Sequence, residues 1–215
     1  MNYDLMFDTT NKPRLLLHSC CAPCSSYCLI YMRKWFDITC FFYNPNISDE
    51  GEYRKREEEL VRLVNELNND PICVADGELV TSKPDYPILP ISVIRGDFEP
   101  GLFTDAVVAA GLEECPERGE RCRMCFGMRL AKTYREALSG GFDFFSTTLT
   151  ISPLKDAALI NEIGEKIASS DKEESPVKWL QSDFKKKNGY KISIELSRRY
   201  DLYRQNFCGC DYSRR

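Results

Sequence analysis

Apolar and polar positions along the first third of the chain predict strands and helices in alternation. Residues 14–18 form a short apolar run that predicts a buried strand, and residues 23–35 carry apolar positions at helical spacing. A second strand is predicted at 37–43, a charged helix with one apolar face at 50–67, and a third strand at 71–75. This β-α-β-α-β order predicts an α/β fold with a parallel sheet flanked by helices.

The rest of the chain continues the alternation after an irregular stretch. Residues 76–100 are rich in proline and predict an irregular connection or a hairpin insertion rather than a linker between domains. A further helix is expected to begin at Ser152 and Pro153, with serine as the cap and proline in the first turn. The other predicted elements are helices near 102–111 and 120–138, a strand at 142–148 and a last helix near 193–203.

Composition adds a domain count and a compartment. The chain has 215 residues, of which 43% are hydrophobic and 12% aromatic, so we expect one compact domain with a sizeable core. It lacks a basic apolar leader and any run near the roughly eighteen apolar residues that a membrane-spanning helix needs, which predicts a cytoplasmic protein without membrane contact. Thiols stay reduced there, so the eleven cysteines favour metal ligands, redox groups or core residues over a disulfide scaffold.

Charge is unevenly distributed along the chain. Residues 1–175 hold 19 basic and 29 acidic side chains, whereas residues 176–215 hold 10 and 4, so the C-terminal segment is basic. Within it, residues 182–191 combine Phe184 and Tyr190 with four lysines, a pattern that suits phosphate contacts and base stacking. This segment can serve a polyanionic partner, although a solvated basic surface explains the same charges.

Four of the cysteines crowd into residues 18–28, where the first strand ends and the first helix begins. Open α/β sheets bind ligands at this position, and the helix dipole there favours negative charge. We therefore expect lowered thiol pKa values and consider Cys20, Cys21 and Cys24 as metal ligands or nucleophiles. His18 is the only histidine, which excludes a histidine-rich metal site; it can orient a ligand, touch substrate or be purely structural.

A second group, Cys122 and Cys125, lies three residues apart in the first turn of a predicted helix, so both side chains can converge on one point. Two such pairs are compatible with structural zinc, with a 4Fe–4S cluster or with a dithiol redox site. The adjacent pair Cys20 and Cys21 argues against zinc, whose ligands are usually about two to four residues apart. The surplus of thiols suggests more than one metal.

The third group is Cys208 and Cys210, separated only by Gly209. A disulfide across one residue closes a very small ring, strained bridges are easily reduced, and glycine permits the unusual backbone angles of such a ring. Two ordinary thiols or two further metal ligands are the alternatives. The four other cysteines are expected in the core or in a loop: Cys28, Cys40, Cys73 and Cys115.

Polar groups at two other strand ends can face a ligand. Tyr43, Asn44 and Asn46 follow the second strand on the same sheet edge as the cysteines, although a plain turn also explains them. Ser152 and Lys155 follow a later strand, another place for an anion or a polar substrate. Phosphate-binding and dinucleotide-binding glycine loops are absent from the sequence, which disfavours an ATP-dependent or nicotinamide-dependent reaction.

Six motifs, taken in order, resemble the QueH family of epoxyqueuosine reductases over roughly residues 14–212: LLLHSCCAPCSSY, FFYNPNI, ERCRMCF, TTLTISPLK, SDFKKKNGYKISIELS and LYRQNFCGC. The resemblance implies a single catalytic domain over 1–215, with a fold similar to the nucleotide-hydrolase-like (HUP-type) superfamily. It also marks residues 76–95 as an insertion, because this stretch is longer than usual. The implied reaction reduces the epoxide of epoxyqueuosine at the tRNA wobble position to the alkene of queuosine, with release of water.

The resemblance further implies roles for individual residues. The ligands of a 4Fe–4S cluster would be Cys20, Cys21, Cys122 and Cys125, and an adjacent iron ion would involve Cys24. A redox-active disulfide would join Cys208 and Cys210 within the basic segment 176–215, and an external electron donor would reset it. Candidate substrate-binding residues are His18, Tyr43, Asn44, Asn46, Ser152, Lys155, Asp183, Lys186 and Lys187.

Two other classes of protein remain open at this point. One is a zinc-stabilised RNA-binding module, in which four cysteines hold the metal and the basic segment docks RNA. The other is a thiol-disulfide oxidoreductase that acts on protein disulfides without any metal. The adjacent cysteine pair and the Cys-Gly-Cys motif argue against the zinc module.

Overall fold

A five-stranded parallel sheet with helices on both faces forms the protein, as seen in a computed structural model that describes residues 3–170 and 175–213. The strands are β1 Arg14–Ser19, β2 Asp37–Phe42, β3 Cys73–Ala75, β4 Glu78–Val80, β5 Ser92–Arg95, β6 Phe144–Thr147 and β7 Lys178–Trp179. The helices are α1 Ala22–Met32, α2 Glu50–Asn69, α3 Pro100–Ala109, α4 Glu120–Ser139, α5 Ala157–Ala168 and α6 Gly189–Arg199. The order in the sheet is β5-β2-β1-β6-β7, so the predicted α/β class is confirmed.

The central strand β1 shows why the sheet is buried on both faces. Leu15, Leu16 and Leu17 are all inaccessible to solvent. Leu15 and Leu17 pack into the core formed with α1, α2 and α6, whereas Leu16 points to the opposite core formed with α4 and α5. A strand covered by helices on both sides is apolar at successive positions, which is the pattern that the sequence shows here.

The third strand of the parallel sheet is not the predicted one. The sequence predicts residues 71–75 as the third strand of the parallel sheet, but β3 pairs antiparallel with β4 in a separate hairpin. Its turn consists of Asp76 and Gly77, both with positive φ (49° and 77°), which is the geometry that returns a chain directly onto itself. The strand beside β2 is β5, so the segment 76–95 contributes the second strand of the hairpin, β4, and one strand of the parallel sheet, β5.

The helix predicted to start at Ser152 begins later. Residues Thr148–Ile151 form a short 3₁₀ helix, and α5 starts at Ala157 with Asp156 as its cap. The Asp156 carboxylate accepts hydrogen bonds from two backbone N–H groups, of Ala158 (2.8 Å) and Leu159 (3.2 Å). Because this carboxylate satisfies two otherwise unpaired helix donors, the cap lies at Asp156 rather than at Ser152.

Two further boundaries differ from the predictions, and the remaining helices agree closely. The last helix runs over Gly189–Arg199, earlier than the expected 193–203, and α3 runs over Pro100–Ala109. Within the described ranges, none of the helices combines the length and the apolar character that crossing a bilayer requires. Arg214 and Arg215 of the basic segment lie outside the described residues.

Candidate redox-active cysteine site

The first cysteine group lies at the carboxyl end of β1. Cys21 is the cap residue of α1 and makes no side-chain capping bond, while Cys24 follows in the first helical turn. The sulfur atoms of Cys20, Cys21 and Cys24 lie within 4.8 Å of one another, and those of Cys20 and Cys21 are 3.8 Å apart. Over residues 3–170 and 175–213, no other three histidine, cysteine or carboxylate ligands lie this close together. These thiols can therefore hold a metal ion.

The three thiols divide into one acidic and two weakly acidic groups. Hydrogen bonds from Cys21 and Cys24 hold the pKa of Cys20 well below its ordinary value, despite its burial. The same interaction raises the pKa of Cys21 to about 12, and the pKa of Cys24 is also raised well above its ordinary value. The predicted lowering of pKa holds for Cys20 and is wrong for the other two, because neighbouring thiols cannot all ionise at once.

The second group lies in the first turn of α4, where the sequence placed it. Cys125 is buried, and burial raises its pKa to about 12. The half-buried Cys122 sulfur accepts a hydrogen bond from the backbone N–H of Arg118 at 3.2 Å. Neither sulfur belongs to the group of Cys20, Cys21 and Cys24, whose sulfur atoms all lie within 4.8 Å of one another. A 4Fe–4S cluster is held by four cysteine thiolates on different iron atoms, so it does not require all four sulfurs to lie within that distance of one another.

The third group, Cys208 and Cys210, is held by Arg56 and Asn46 and packs beside the second group. The Cys208 carbonyl accepts hydrogen bonds from Arg56 Nη1 (3.2 Å) and Asn46 Nδ2 (3.4 Å). Cys210 packs with Cys125 in a small apolar cluster between α3 and α4. Both sulfurs are half-buried free thiols in the structure.

A buried guanidinium, that of Arg129, lies among the three cysteine groups. Arg129 is 2% exposed, donates a hydrogen bond from Nη2 to Asn46 Oδ1, and forms no ion pair with any described carboxylate. Burial opposes its charge, but interactions with Cys125, Cys208, Cys20 and Cys210 outweigh burial and raise the pKa of Arg129. A buried cation needs compensating interactions, and the cysteines are the groups that favour the charged form of Arg129 here.

Sequence reasoning did not identify Arg129, although a signal was present. Arg129 follows Cys125 by four residues and Cys122 by seven, so the three side chains share one face of α4.

Lys155 is a second cation beside the thiols. Burial lowers the pKa of the ammonium of this half-buried residue, but interactions with Cys208, Cys20 and Cys24 outweigh burial and raise the Lys155 pKa. Its backbone carbonyl accepts a hydrogen bond from Lys185 Nζ at 3.3 Å. Of the predicted substrate-binding residues, Lys155 is the one whose charge the structure places toward the cysteines.

The predicted substrate residues near β1 and β2 are buried. His18 has no exposed surface; its Nδ1 lies 2.8 Å from Thr147 Oγ1 and its Nε2 lies 3.0 Å from the Tyr43 carbonyl oxygen. Burial lowers the His18 pKa to about 4, so the imidazole is neutral. Asn44 donates to the Ser19 carbonyl at 3.4 Å, and both ends of the Asn46 amide have protein partners. These side chains form the inner wall of the site.

The lysine-rich stretch 182–191 divides into a structural and an exposed part. Phe184 is 3% exposed and belongs to the core, so its predicted role in base stacking is wrong. Lys185 Nζ donates to the Thr150 carbonyl at 3.1 Å and thereby ties this loop to the end of β6. Lys186 and Lys187 are exposed, and the former lies 3.9 Å from Asp183.

The remaining cysteines and Ser152 have plain structural settings. Cys28, Cys40 and Cys73 are buried as expected, and Cys115 lies in the loop before α4. The Ser152 hydroxyl accepts a hydrogen bond from the Leu154 N–H at 3.3 Å and is partly exposed at the rim.

Comparison with known proteins gives one consistent result. A family model described as epoxyqueuosine reductase QueH matches residues 15–215. A protein of that name from Streptococcus pyogenes is 40% identical over 205 residues, which cover 94% of this chain and 71% of the relative. The Staphylococcus epidermidis protein is 39% identical, with 94% and 76% covered, and that of Thermotoga maritima is 32% identical, with 93% and 89% covered.

Proposed function

The chain belongs to the QueH family of epoxyqueuosine reductases, and from this premise we propose how its residues reduce epoxyqueuosine to queuosine in tRNA. The reaction replaces an epoxide by an alkene and releases its oxygen as water, which consumes two electrons and two protons. The observation that carries the proposal is the convergence of three thiol groups on the buried cation Arg129. Such a site can hold an electron-transfer centre and a dithiol side by side.

We propose that Cys20, Cys21, Cys122 and Cys125 ligate a 4Fe–4S cluster. The donor set fits, because thiolates are the usual ligands of such clusters and a four-thiolate cluster is anionic. Arg129, which has no described carboxylate partner, is placed to balance that charge. When bound, the cluster supplies electrons one at a time.

Cys24 is proposed as a ligand of an additional iron beside the cluster. Its support is the short distance, within 4.8 Å, between its sulfur and those of Cys20 and Cys21. An iron ion held there by Cys24 would supply Lewis-acid chemistry.

Cys208 and Cys210 are proposed as the store of the electron pair. Oxidation of two thiols to one disulfide releases two electrons and two protons, which balance the conversion of the epoxide to the alkene and water. An external electron donor then reduces the disulfide again. Lys155 is a cation whose charge interacts favourably with Cys208.

The tRNA is proposed to lie over the rim formed by Ser152 and the loop around Asp183. Lys186 and Lys187 are exposed there and supply phosphate contacts, whereas Asp183 pairs with Lys185 at 3.3 Å and with Lys186 at 3.9 Å and so orients these two side chains. His18, Tyr43, Asn44 and Asn46 shape the buried wall of the site rather than its open face. This assignment follows from the burial of these four side chains.

The activity is tested by incubating the anaerobically reconstituted protein with epoxyqueuosine-containing tRNA and a low-potential reductant. Nucleoside mass spectrometry is expected to show the loss of one oxygen. Cys122→Ser should lose the visible absorbance of the cluster, its iron and sulfide, and activity. The matched control is Cys115→Ser, because among residues 3–170 and 175–213 that loop thiol hydrogen-bonds only to the neighbouring Pro116 carbonyl at 3.7 Å. A coloured and active Cys122 variant would refute the ligand assignment.

The dithiol role has a separate test. Cys208→Ser and Cys210→Ser are each expected to retain the iron and sulfide content of the parent protein while losing multiple-turnover reduction of the tRNA. Unchanged turnover with the same reductant would remove these two residues from the mechanism and leave the cluster assignment untouched.

A further inference from the structure

The segment that carries the Cys-Gly-Cys motif is fastened along one face of α2. The residues that hold it recur at spacings of three and four, so they share that face; they are Glu52, Arg56, Glu59 and Arg62. Their partners lie between residues 200 and 208, more than 130 positions away along the chain.

The C-terminal half of this face holds the start of the segment. Arg62 Nη2 donates to the carbonyls of Tyr200 (2.9 Å) and Asp201 (3.2 Å) and pairs with Glu59 at 2.7 Å. Glu59 Oε1 in turn accepts the Tyr203 N–H at 2.6 Å. These contacts fix where the chain leaves α6.

The N-terminal half holds the residues next to the thiols. Arg56 donates from Nη2 to the Phe207 carbonyl at 3.4 Å and from Nη1 to the Cys208 carbonyl at 3.2 Å. Its Nε donates to Glu52 Oε1 at 2.6 Å, and the guanidinium is 2% exposed. Glu52 also accepts a hydrogen bond from the Tyr203 hydroxyl at 3.0 Å. The planar guanidinium therefore binds one carboxylate and two successive carbonyls at once.

The chain approaches Arg56 as closely as a glycine allows. Gly209 has φ of +112°, and a Cβ on it would lie 3.2 Å from Arg56 Nη1 and 2.7 Å from Ile47 Cγ1. The backbone between the two cysteines is thus confined by α2 on one side and by buried apolar atoms on the other.

We propose that Arg56 is a positioning residue that sets the redox equilibrium of the Cys208 and Cys210 pair. By holding the carbonyls of Phe207 and Cys208, it fixes the backbone from which both thiols project, and so fixes the ease with which the sulfurs reach each other. This inference rests on the proposed role of the pair as an electron store.

The decisive variant is Arg56→Lys, compared with Arg62→Lys on the same helix face. Both parent arginines pair with a glutamate and with two carbonyls, but the contacts of Arg62 end at residue 201. A lysine keeps the charge yet lacks the fork that serves three acceptors. The measurement is the dithiol-disulfide equilibrium of the reconstituted protein in glutathione buffers, read by alkylation and mass spectrometry.

Arg56→Lys is expected to move the equilibrium constant about tenfold, roughly 30 mV for this two-electron couple, toward the value of a free Cys-Gly-Cys peptide. Arg62→Lys should stay within about twofold of the parent. Tyr203→Phe, which removes only the hydroxyl bound to Glu52, should shift the equilibrium in the same direction by a smaller factor and keeps the test valid if Arg56→Lys does not fold. The KM for tRNA should not change in any of the three variants.

An unshifted equilibrium in Arg56→Lys, or in Tyr203→Phe where the lysine variant does not fold, overturns the proposal. An equal shift in Arg62→Lys also overturns it, because the effect would then be a general loosening of the segment. The readout does not depend on turnover. A Cys208→Ser protein with normal turnover would therefore refute the electron-store role alone, and the redox equilibrium would still report whether Arg56 positions the pair.

Discussion

Replacement of Gly209 by alanine tests whether the Cys-Gly-Cys backbone is as confined as the contacts indicate. Its φ of +112° belongs to a region that side-chain-bearing residues rarely occupy. The added methyl group would lie 2.7 Å from Cγ1 of Ile47, which is 1% exposed and has no room to withdraw. The variant must therefore either strain the site or release the segment from α2.

The magnitude follows from these two effects. Backbone strain of this kind costs about 1–3 kcal/mol. Overpacking against a buried side chain adds about 1–3 kcal/mol. If the segment stays in place, Gly209→Ala should lower the free energy of unfolding by about 2–6 kcal/mol.

The assay is urea unfolding together with hydrogen exchange of residues 203–213 by mass spectrometry. Strain retained in the fold lowers the global free energy of unfolding, whereas release of the segment speeds exchange there and abolishes turnover. Gly111→Ala is the matched control, because Gly111 also has a positive φ (+63°) but no atom within 4 Å of the added methyl. It should cost only about 1–2 kcal/mol and leave turnover unchanged.

The segment is not confined in this way if Gly209→Ala has a free energy of unfolding within about 0.5 kcal/mol of the parent protein and unchanged exchange and turnover. That result would mean that the segment has another backbone path to the site. A Gly111 variant that lost turnover equally would show that positive φ, rather than crowding at the thiols, causes the effect.

Two further predictions concern surface charge. Replacing Lys186 and Lys187 with glutamine should weaken tRNA binding and flatten its salt dependence by up to roughly two phosphate contacts. The control Lys166→Gln, equally exposed on α5, should change neither. An unaltered salt dependence in filter binding would contradict the proposed rim. The Arg62 guanidinium holds the pKa of Glu59 below its ordinary value of 4.5, so this carboxylate stabilises the fold above pH 4.5 and loses that contribution as pH falls through its folded pKa. The stability difference between the parent and Glu59→Gln should therefore shrink on acidification, and a pH-independent difference in urea unfolding would refute the pairing.

The hydrophobic pattern predicts an element well where the pattern fits only one type of secondary structure in one position. The apolar run of β1 and the start of α4 at Glu120 lie where the periodicity placed them. The prediction of a parallel-sheet strand at residues 71–75 is wrong, because a short apolar run fits a sheet strand and a hairpin strand equally well. The Asp76-Gly77 turn, rather than the run itself, decided between them.

The site divides in the same way. Spacing alone indicated that Cys122 and Cys125 point together, because three residues span nearly one helical turn. It could not show that Phe184 is core while Lys186 is exposed, since both lie in one polar loop and burial depends on what packs above them.

The sequence by itself therefore determined the alternation of strands and helices, the thiol-rich character of the site and the families of chemistry that thiols permit. These follow from residue type and from spacing over one or two turns. Only the tertiary structure decided which charged groups lie beside the cysteines. Arg129 donates a hydrogen bond to Asn46, and Arg56 donates one to the Cys208 carbonyl, 152 positions along the chain. The physical reason is that the charge balance of a buried site depends on groups brought together by packing, and local sequence carries no record of such distant neighbours.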